Sequence, residues 1–347
     1  MARRATAVSL ACLLAAGVAP PLAAAAPAHA HATATCASAP AGGEAREPRS
    51  HRLEARPRGS EAPGPLSRSS ESRGLLPRSL ESRGPLPRSR RDPETTGPRS
   101  PRPEDVARVT AEVRRRLGGA APPPKVTVRV RAHVITAGQR QVTHQDVVTQ
   151  IGVLNAAYAG RYGGADTGVR FVLDGVTVRD EPAWFADPVA NERAMKTALH
   201  QGGADTLNLY IAQLSERMLG FASYPYWYAG EPELDGVVID WRSLPDGQMT
   251  DYNRGFTGVH EIGHWLGLFH TFENGCREPG DGIDDTPPEA RPSEGCPVDK
   301  DTCPQQGRDP SRNFMDYAND TCMSEFSAGQ ALRMREMWAV YRRAPAA

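Results

Sequence analysis

Three histidines within eleven residues constrain this chain more than any other feature of its sequence. Residues 260–270 read His-Glu-Ile-Gly-His-Trp-Leu-Gly-Leu-Phe-His. His260 and His264 are four residues apart, so on a helix their side chains project from one face and can bind one metal ion. Gly267 can adopt a positive φ, which allows the helix to end and His270 to return as a third ligand. The sequence therefore predicts a helix, a sharp turn and a metal site.

The expected metal is a single catalytic zinc ion. Three histidines leave one tetrahedral position open, whereas structural zinc sites normally have four protein ligands and favour cysteine. Glu261 directly follows the first histidine, and we expect it to polarise a metal-bound water as the general base. The alternatives are that the pattern is accidental or that the metal site is purely structural. Neither alternative explains why Glu261 and Gly267 also occupy the positions that a catalytic site requires.

The first 30 residues have the order of a secretory signal peptide. Two arginines precede an apolar run, and residues 28–30, Ala-His-Ala, form a small-x-small cleavage signal. A membrane anchor is the alternative, but Pro20-Pro21 interrupts the run, which is short for a membrane span. We therefore expect cleavage after Ala30, a secreted, extracellular protein and no stable membrane association.

Residues 31–103 are predicted to be a disordered propeptide or linker. They are rich in Pro, Arg, Ser, Gly and Glu and lack Phe, Trp and Tyr, so they cannot bury enough apolar surface to fold alone. A ten-residue repeat starts at Pro65 and Leu75 and begins again at Pro85, and its proline and glycine content indicates a linker rather than a solenoid. Arg90-Arg91 is a candidate processing site.

Charge is divided unevenly along the chain. The formal net charge is +0, yet residues 1–103 contain 16 basic and 8 acidic residues, while residues 104–347 contain 25 and 33. A basic leader and an acidic body can attract each other before processing. Nucleic-acid binding is the alternative for an Arg-rich segment, but no basic helix or nucleic-acid motif accompanies it, so no nucleic-acid partner is expected.

Residues 104–347 are predicted to form one α/β (α+β) catalytic domain. Val126, Val128 and Val130 alternate with polar residues, which is strand periodicity. Strands are also expected over 171–178, 206–212 and 236–240, and helices over 103–117, 143–159, 191–200 and, from a capping box at Ser327, to about 342. Residues 271–326 are rich in Gly, Pro, Asp and Cys, so we expect an upper twisted-sheet-and-helix part above an irregular, disulfide-stabilised lower part.

Four cysteines follow the histidines. In a secreted protein, cysteines in such a loop-rich region are expected to form two disulfides, and the residues alone leave three pairings open. A second zinc site is the alternative, but there is no Cys-x-x-Cys spacing. Cys12 leaves with the signal peptide, which makes Cys36 the odd thiol. The four downstream cysteines are Cys276, Cys296, Cys303 and Cys322.

Two further segments carry candidate functional residues. Asn313-Phe-Met-Asp-Tyr317 resembles the methionine turn of metzincin metallopeptidases, which implies a tight turn whose Met315 forms an apolar floor beneath the histidines. We expect Tyr317 to reach the metal or a developing oxyanion. Without the histidines, Met315 would be interpreted as a core residue. Residues 280–289 concentrate glycines and hard oxygen ligands, which suit either calcium or a solvated acidic loop. The candidate calcium ligands are Asp281, Asp284, Asp285 and Thr286.

Together these motifs resemble the pappalysin family of metzincin metallopeptidases, especially its secreted microbial members. The resemblance covers about residues 125–343 and implies a zinc-dependent endopeptidase acting on proteins or peptides, with a cleft that runs across the zinc. We expect the edge strand of the sheet to bind substrate in extended form. It also implies disulfides Cys276–Cys303 and Cys296–Cys322, and calcium near 281–289. The matching segments are 219–225, 235–239, 260–272, 281–287, 313–317 and Cys322.

The resemblance also bears on specificity. In some family members an aspartate three residues after the turn's tyrosine lies in the pocket for the residue after the cut bond, and Asp320 matches that position. A buried carboxylate there favours a basic residue, so cleavage on the amino side of Arg or Lys is expected. The Arg-rich linker would then be a substrate itself, which suggests self-processing.

Two alternatives remain open at this level. Family members often carry a propeptide cysteine that blocks the zinc, but Cys36 lacks the usual arginine and glycine neighbours, so it is either a degenerate latency switch or unrelated. The competing functions are a secreted binding module that retains the fold and a processing peptidase with a narrow substrate. Glu261 argues against the binding module, because it has no structural reason to be present.

Overall fold

The computed structural model describes residues 99–215 and 218–343. The expected signal peptide, the repeats, Arg90-Arg91 and Cys36 lie outside the described residues. In the described part, no helix has the length and apolar character needed to cross a membrane.

A five-stranded sheet forms the upper part, with strand order β2-β1-β3-β5-β4. β1 pairs in parallel with β2 and β3, and β3 pairs in parallel with β5. β4 pairs with β5 in the antiparallel direction and is an edge strand. The strands are β1 (Val126–Thr136), β2 (Val169–Asp180), β3 (Thr206–Ala212), β4 (Gly220–Ala222) and β5 (Val237–Asp240).

Six α-helices lie in the described part of the chain. The predicted caps are confirmed, because Thr143 Oγ1 accepts from the Asp146 amide at 3.2 Å and Ser327 Oγ accepts from the Gln330 amide at 3.0 Å. A π-helical turn, Trp338–Arg342, extends the last helix. The helices are α1 (Pro103–Leu117), α2 (His144–Tyr158), α3 (Pro182–Ala186), α4 (Glu192–Leu199), α5 (Phe256–Trp265) and α6 (Ala328–Met337).

Both faces of the sheet are covered. β3 is buried along its whole length, as expected for a parallel strand with layers on either side. On one face, the main core joins the sheet to α2, α5 and the turn around Met315. On the other face, a smaller core packs Met195 of α4 against Tyr210 and Phe221. The zinc-motif helix α5 is therefore held inside the principal core rather than on the surface.

The segment 271–326 contains turns and one bridge, Asn313–Glu325, but neither helix nor strand. Two disulfides join its loops, Cys276–Cys303 and Cys296–Cys322, with Cα–Cα distances of 5.5 and 5.7 Å. The pairing implied by the family resemblance is thus confirmed, as is the division into a regular upper part and an irregular lower part.

Candidate active site

Helix α5 places the first two histidines under the sheet. Every residue of α5 is buried. His260 Nε2 and His264 Nε2 lie 3.1 Å apart, as the four-residue spacing predicts. The helix ends at Leu266, and Gly267 has φ +94°; a Cβ there would lie 2.4 Å from Met337 Cε. Both the conformation and the close approach therefore require glycine.

The turn at Gly267 returns His270 to the first two histidines. His270 Nε2 lies 3.1 Å from His264 Nε2, and ligand atoms of the three residues all lie within 4.8 Å of one another. Three converging imidazole nitrogens are the donor set that suits zinc.

The hydrogen bonds of the Nδ1 atoms show that His260 and His264 can bind a metal ion through Nε2. His260 Nδ1 lies 2.7 Å from the Phe314 carbonyl oxygen, and His264 Nδ1 lies 2.8 Å from that of Leu268. A carbonyl only accepts, so each Nδ1 donates and each Nε2 keeps its lone pair for the centre. Burial lowers the pKa of His260 to about 4 and the pKa values of His264 and His270 well below the usual range. The rings are neutral near pH 7, as metal ligation requires.

Glu261 lies beside this triad and beneath the edge strand. Its side chain is buried, and burial raises its pKa to about 8. A Cβ added to Gly220 of β4 would lie 2.5 Å from Glu261 Cγ. Glycine at that strand position is therefore what allows β4 to pass directly over the glutamate, a role that the sequence did not reveal.

The segment 313–317 forms the floor of the site. Met315 is fully buried, and its Sδ would lie 2.4 Å from a Cβ on Gly263, so the glycine allows the thioether to pack against α5. Asn313 Oδ1 accepts from the Met315 amide at 2.9 Å. Asn313 and Gln330 also exchange two side-chain hydrogen bonds, of 2.8 and 2.9 Å, which join the turn to α6.

Two tyrosines contact the histidines. Tyr317 OH lies 3.1 Å from His270 Nε2, the residue is 46% exposed and lines the cleft, and partial burial raises the pKa of its hydroxyl to about 12. Tyr224 is buried, and its OH lies 3.0 Å from His264 Nδ1. The sequence predicted a role for Tyr317 but none for Tyr224, which no motif spacing relates to the histidines.

Asp320 lies at the opposite end of α5 from Tyr224. Its Oδ2 accepts from the amides of Arg254 and Phe256, at 2.8 and 3.4 Å. Its Oδ1 is buried without a hydrogen-bond partner, and burial raises the pKa of this carboxyl to about 6. Asp320, the histidines, Glu261, Tyr317 and β4 all line one cleft of about 440 Å³.

The acidic loop 281–289 belongs to the lower part of the molecule and contacts the start of α6. Thr286 Oγ1 donates to Asp281, with both carboxylate oxygens 2.8 Å away. Asp285 accepts from Ser327 Oγ at 2.6 Å and from the Gly329 amide at 2.8 Å, at the start of α6. Among the described residues, the histidine triad is the only group of three or more such side chains close enough to share a metal. A calcium ion in this loop stays a prediction.

Comparisons with known proteins agree with this geometry. A family model for peptidase M43, described as pregnancy-associated plasma protein-A, matches residues 200–339, which include the histidines and the methionine turn. An extracellular metalloprotease of Arthroderma benhamiae is 41% identical over 224 residues, which cover 62% of this chain and 74% of the relative. One from Sordaria macrospora is 40% identical over 238 residues, covering 65% and 79%.

Solved structures of mirolysin from Tannerella forsythia share the fold. The mature enzyme in complex with a cleaved peptide matches with a TM-score of 0.54 and 26% identity, covering 65% of this chain and 100% of mirolysin. A promirolysin mutant matches with a TM-score of 0.60 and 25% identity, covering 69% and 90%. The sequence relationships, the shared fold and the three converging histidines agree: the chain belongs to the peptidase M43 (pappalysin) family of metzincins and is a metalloendopeptidase.

Proposed function

We propose that this zinc endopeptidase is secreted and prefers peptide bonds that are followed by Arg or Lys. The observation that carries the preference is the unpaired Oδ1 of Asp320, a fully buried oxygen at the wall of the cleft. A guanidinium or ammonium group entering from the cleft would give this oxygen a charge-assisted hydrogen bond. A neutral side chain would leave it unpaired, so the cost of its burial disfavours neutral residues at this position.

The catalytic roles follow from the positions of the side chains in the cleft. His260, His264 and His270 would hold the zinc ion, which when bound acidifies a water molecule and polarises the scissile carbonyl. Glu261, which lines the cleft beside the histidines, takes the proton from the water and passes it to the leaving amine. Tyr317 donates from its hydroxyl to the carbonyl oxygen as negative charge develops there. Met315 supports the histidines from below.

The edge strand β4 supplies the binding surface for the peptide backbone. It pairs with β5 on one side only, and Gly220, Phe221 and Ala222 line the cleft on its free side. An extended substrate can add to this edge as a further strand, held by backbone hydrogen bonds. Because β4 passes over Glu261, a peptide bound in this way crosses the catalytic glutamate.

The experiment that tests this function is a digest of a complex peptide mixture by the full-length protein with zinc, with cut sites identified by mass spectrometry. The Glu261→Ala variant is the control for contaminating peptidases. We expect cuts by the unsubstituted protein alone, with Arg or Lys directly after the bond. A folded, zinc-loaded protein that cuts nothing would contradict peptidase activity on general substrates, and cuts without a basic residue would contradict the specificity.

A second variant tests whether Asp320 is the residue that confers the basic preference. Asp320→Asn keeps an acceptor for the two backbone amides but removes the charge, so we expect the basic preference to fall about tenfold or more while other cuts persist. Exposed Asp251→Asn is the matched control. Asp316 also lines the cleft and has one buried oxygen, Oδ2, without a partner. If the preference is lost in Asp316→Asn and not in Asp320→Asn, Asp316 is the residue that binds the basic side chain.

A further inference from the structure

The segment that precedes α1 enters the same cleft as the catalytic groups. Arg99, Ser100 and Pro101 line the cleft together with β4. The guanidinium carbon of Arg99 lies 4.3 Å from the centroid of the Trp227 ring, and its Nη1 lies 3.5 Å from Glu231 Oε2. An aromatic face beside a carboxylate is the combination that binds a guanidinium group.

The residues that receive Arg99 belong to the folded body. Trp227 ends a 3-10 turn, and its ring packs against those of Tyr224 and Tyr226, with centroid distances of 5.0 and 5.7 Å. Tyr224 in turn contacts His264, so the tryptophan is fixed relative to the histidine triad. Trp227 and Glu231 also line a small cavity of about 60 Å³, continuous with β4 through Phe221 and Ala222.

The charges around this position favour one additional cation. Arg193 contacts Glu231 at 2.6 Å and Glu233 at 3.3 Å, so one guanidinium is shared between two carboxylates. This arrangement leaves one negative charge in excess, which Arg99 neutralises. Glu192, which also lines the small cavity, is paired with Lys196 at 2.7 Å.

Helix α5 fixes on which side of the cut bond this position lies. Asp320 contacts the amide of Phe256, at the first turn of α5, whereas Tyr224, which the Trp227 ring contacts, lies beside His264, at its last turn. Eight residues of helix separate the two ends by roughly 12 Å. Glu261 lies between them, so Asp320 and Trp227 are at opposite ends of the substrate path.

We propose that Trp227 and Glu231 form a second subsite, which binds a cationic side chain, preferably arginine, of a substrate residue before the cut bond, and that Arg99, which lies in the expected propeptide 31–103, occupies it in the precursor. The assignment of the side rests on the proposed function, in which Asp320 receives the residue after the cut. The enzyme then binds a positively charged side chain on each side of the cut bond. The leader contributes an arginine that imitates the substrate at this subsite.

The expected effect is modest, because the contact is only partly shielded from solvent. The side chains of Arg99 and Glu231 are 58% and 39% exposed. An exposed ion pair combined with a cation–π contact corresponds to about a fivefold change in affinity. The test therefore compares the peptide affinities of several variants instead of relying on one absolute affinity.

The experiment measures binding of labelled peptides by fluorescence anisotropy to the full-length, zinc-loaded Glu261→Ala protein, which does not cleave them. The peptides carry a fixed Arg directly after the bond and a second Arg, placed in turn at each of four positions before the bond, or Gln in place of the second Arg. Arg99→Ala should tighten binding about fivefold for one Arg position and not for the Gln peptide. Adding Glu231→Gln should abolish this gain, whereas the matched Glu233→Gln should preserve it.

Three other outcomes would contradict the proposed subsite. If Arg99→Ala changes Arg and Gln peptides equally, or if its gain survives Glu231→Gln, Trp227 and Glu231 do not recognise the cation. A Trp227→Leu variant that keeps the full gain would equally overturn the proposal. A failure of the proposed function has a different signature, because the protein with Glu261 intact would then either cleave none of the peptides or cleave bonds that no basic residue follows, whatever their binding.

Discussion

The sheet-and-helix part and the irregular segment 271–326 bring side chains to one cleft by different means. In the regular part, His260 and His264 are placed by the periodicity of a helix that is buried along its whole length. In segment 271–326, Met315, Tyr317 and Asp320 lie on turns that single side-chain contacts and two disulfides hold together. Regular structure distributes the positioning over many equivalent bonds, whereas the lower part depends on individual ones.

The first prediction concerns a fully buried ion pair in the regular part. Arg342 and Asp235 are both fully buried and form two hydrogen bonds of 2.7 and 3.0 Å, and the guanidinium lies 3.7 Å from the ring of Trp265. Arg342→Met leaves the aspartate buried without its counter-charge, so we expect the free energy of unfolding to fall by about 3–5 kcal/mol. Urea denaturation of the zinc-loaded protein measures this loss.

The matched control is the double variant with Asp235→Asn. Because that variant no longer buries an unpaired charge, it should be more stable than the sum of the two single losses predicts, by about 1–3 kcal/mol. Strict additivity would show that the pair is not energetically coupled. If Arg342→Met lowers the free energy of unfolding by less than about 1 kcal/mol, the regular part does not depend on this ion pair.

The second prediction separates the two disulfides of the lower part. They close loops of similar sequence separation, 27 and 26 residues, so replacing either pair with serines should cost about 3 kcal/mol of stability. Their effects on specificity should differ, because Cys322 is two residues from Asp320, whereas Cys276 and Cys303 are distant from it in sequence. Removal of Cys296–Cys322 should therefore also weaken the basic preference, measured as a ratio of kcat/KM values. Equal ratios in the two variants would contradict this.

Much of the regular part could be predicted from the sequence. The boundaries of α1 and β3 agree with their periodicity, and the caps at Thr143 and Ser327 agree with capping boxes. Gly267 was identified from its need for a positive φ, and it has one. These features are local, because each depends on residues within one or two turns of the chain.

The rest of the site depends on contacts between distant segments. Tyr224 reaches His264 across forty positions, and Gly220 makes room for Glu261 across forty-one. The position of Arg99 beside Trp227 joins a leader residue to the body of the protein. No periodicity encodes such pairs, because they arise only when the sheet and α5 are packed. The three-residue strand β4 is likewise too short to be predicted from alternation.

The third prediction uses the titration of Asp320 to test the lower part's contribution to specificity. Burial raises its pKa to about 6, so the carboxyl is neutral below that pH and charged above it. The ratio of kcat/KM for a peptide with Arg after the cut to one with Gln should therefore rise about tenfold between roughly pH 5 and pH 7. Taking a ratio cancels titrations that affect both peptides. In Asp320→Asn the ratio should not vary with pH, and a persistent rise there would assign the effect to another group.

The smallest expected effect concerns the acidic loop 281–289, where calcium would add a further individual contact to the lower part. If the loop binds calcium, a tenfold excess over the dissociation constant stabilises the folded protein by about 1.4 kcal/mol and raises Tm by roughly 3–5 °C. Asp284 is exposed, so Asp284→Asn should remove the shift without disturbing the fold, while the exposed control Asp301→Asn should retain it. Magnesium tests selectivity, because it demands a tighter octahedral geometry than these flexible turns supply. A Tm that calcium does not change, or changes equally in Asp284→Asn, would contradict a calcium site in the loop, and the lower part would then depend on its disulfides and on hydrogen bonds such as those of Thr286 and Ser327.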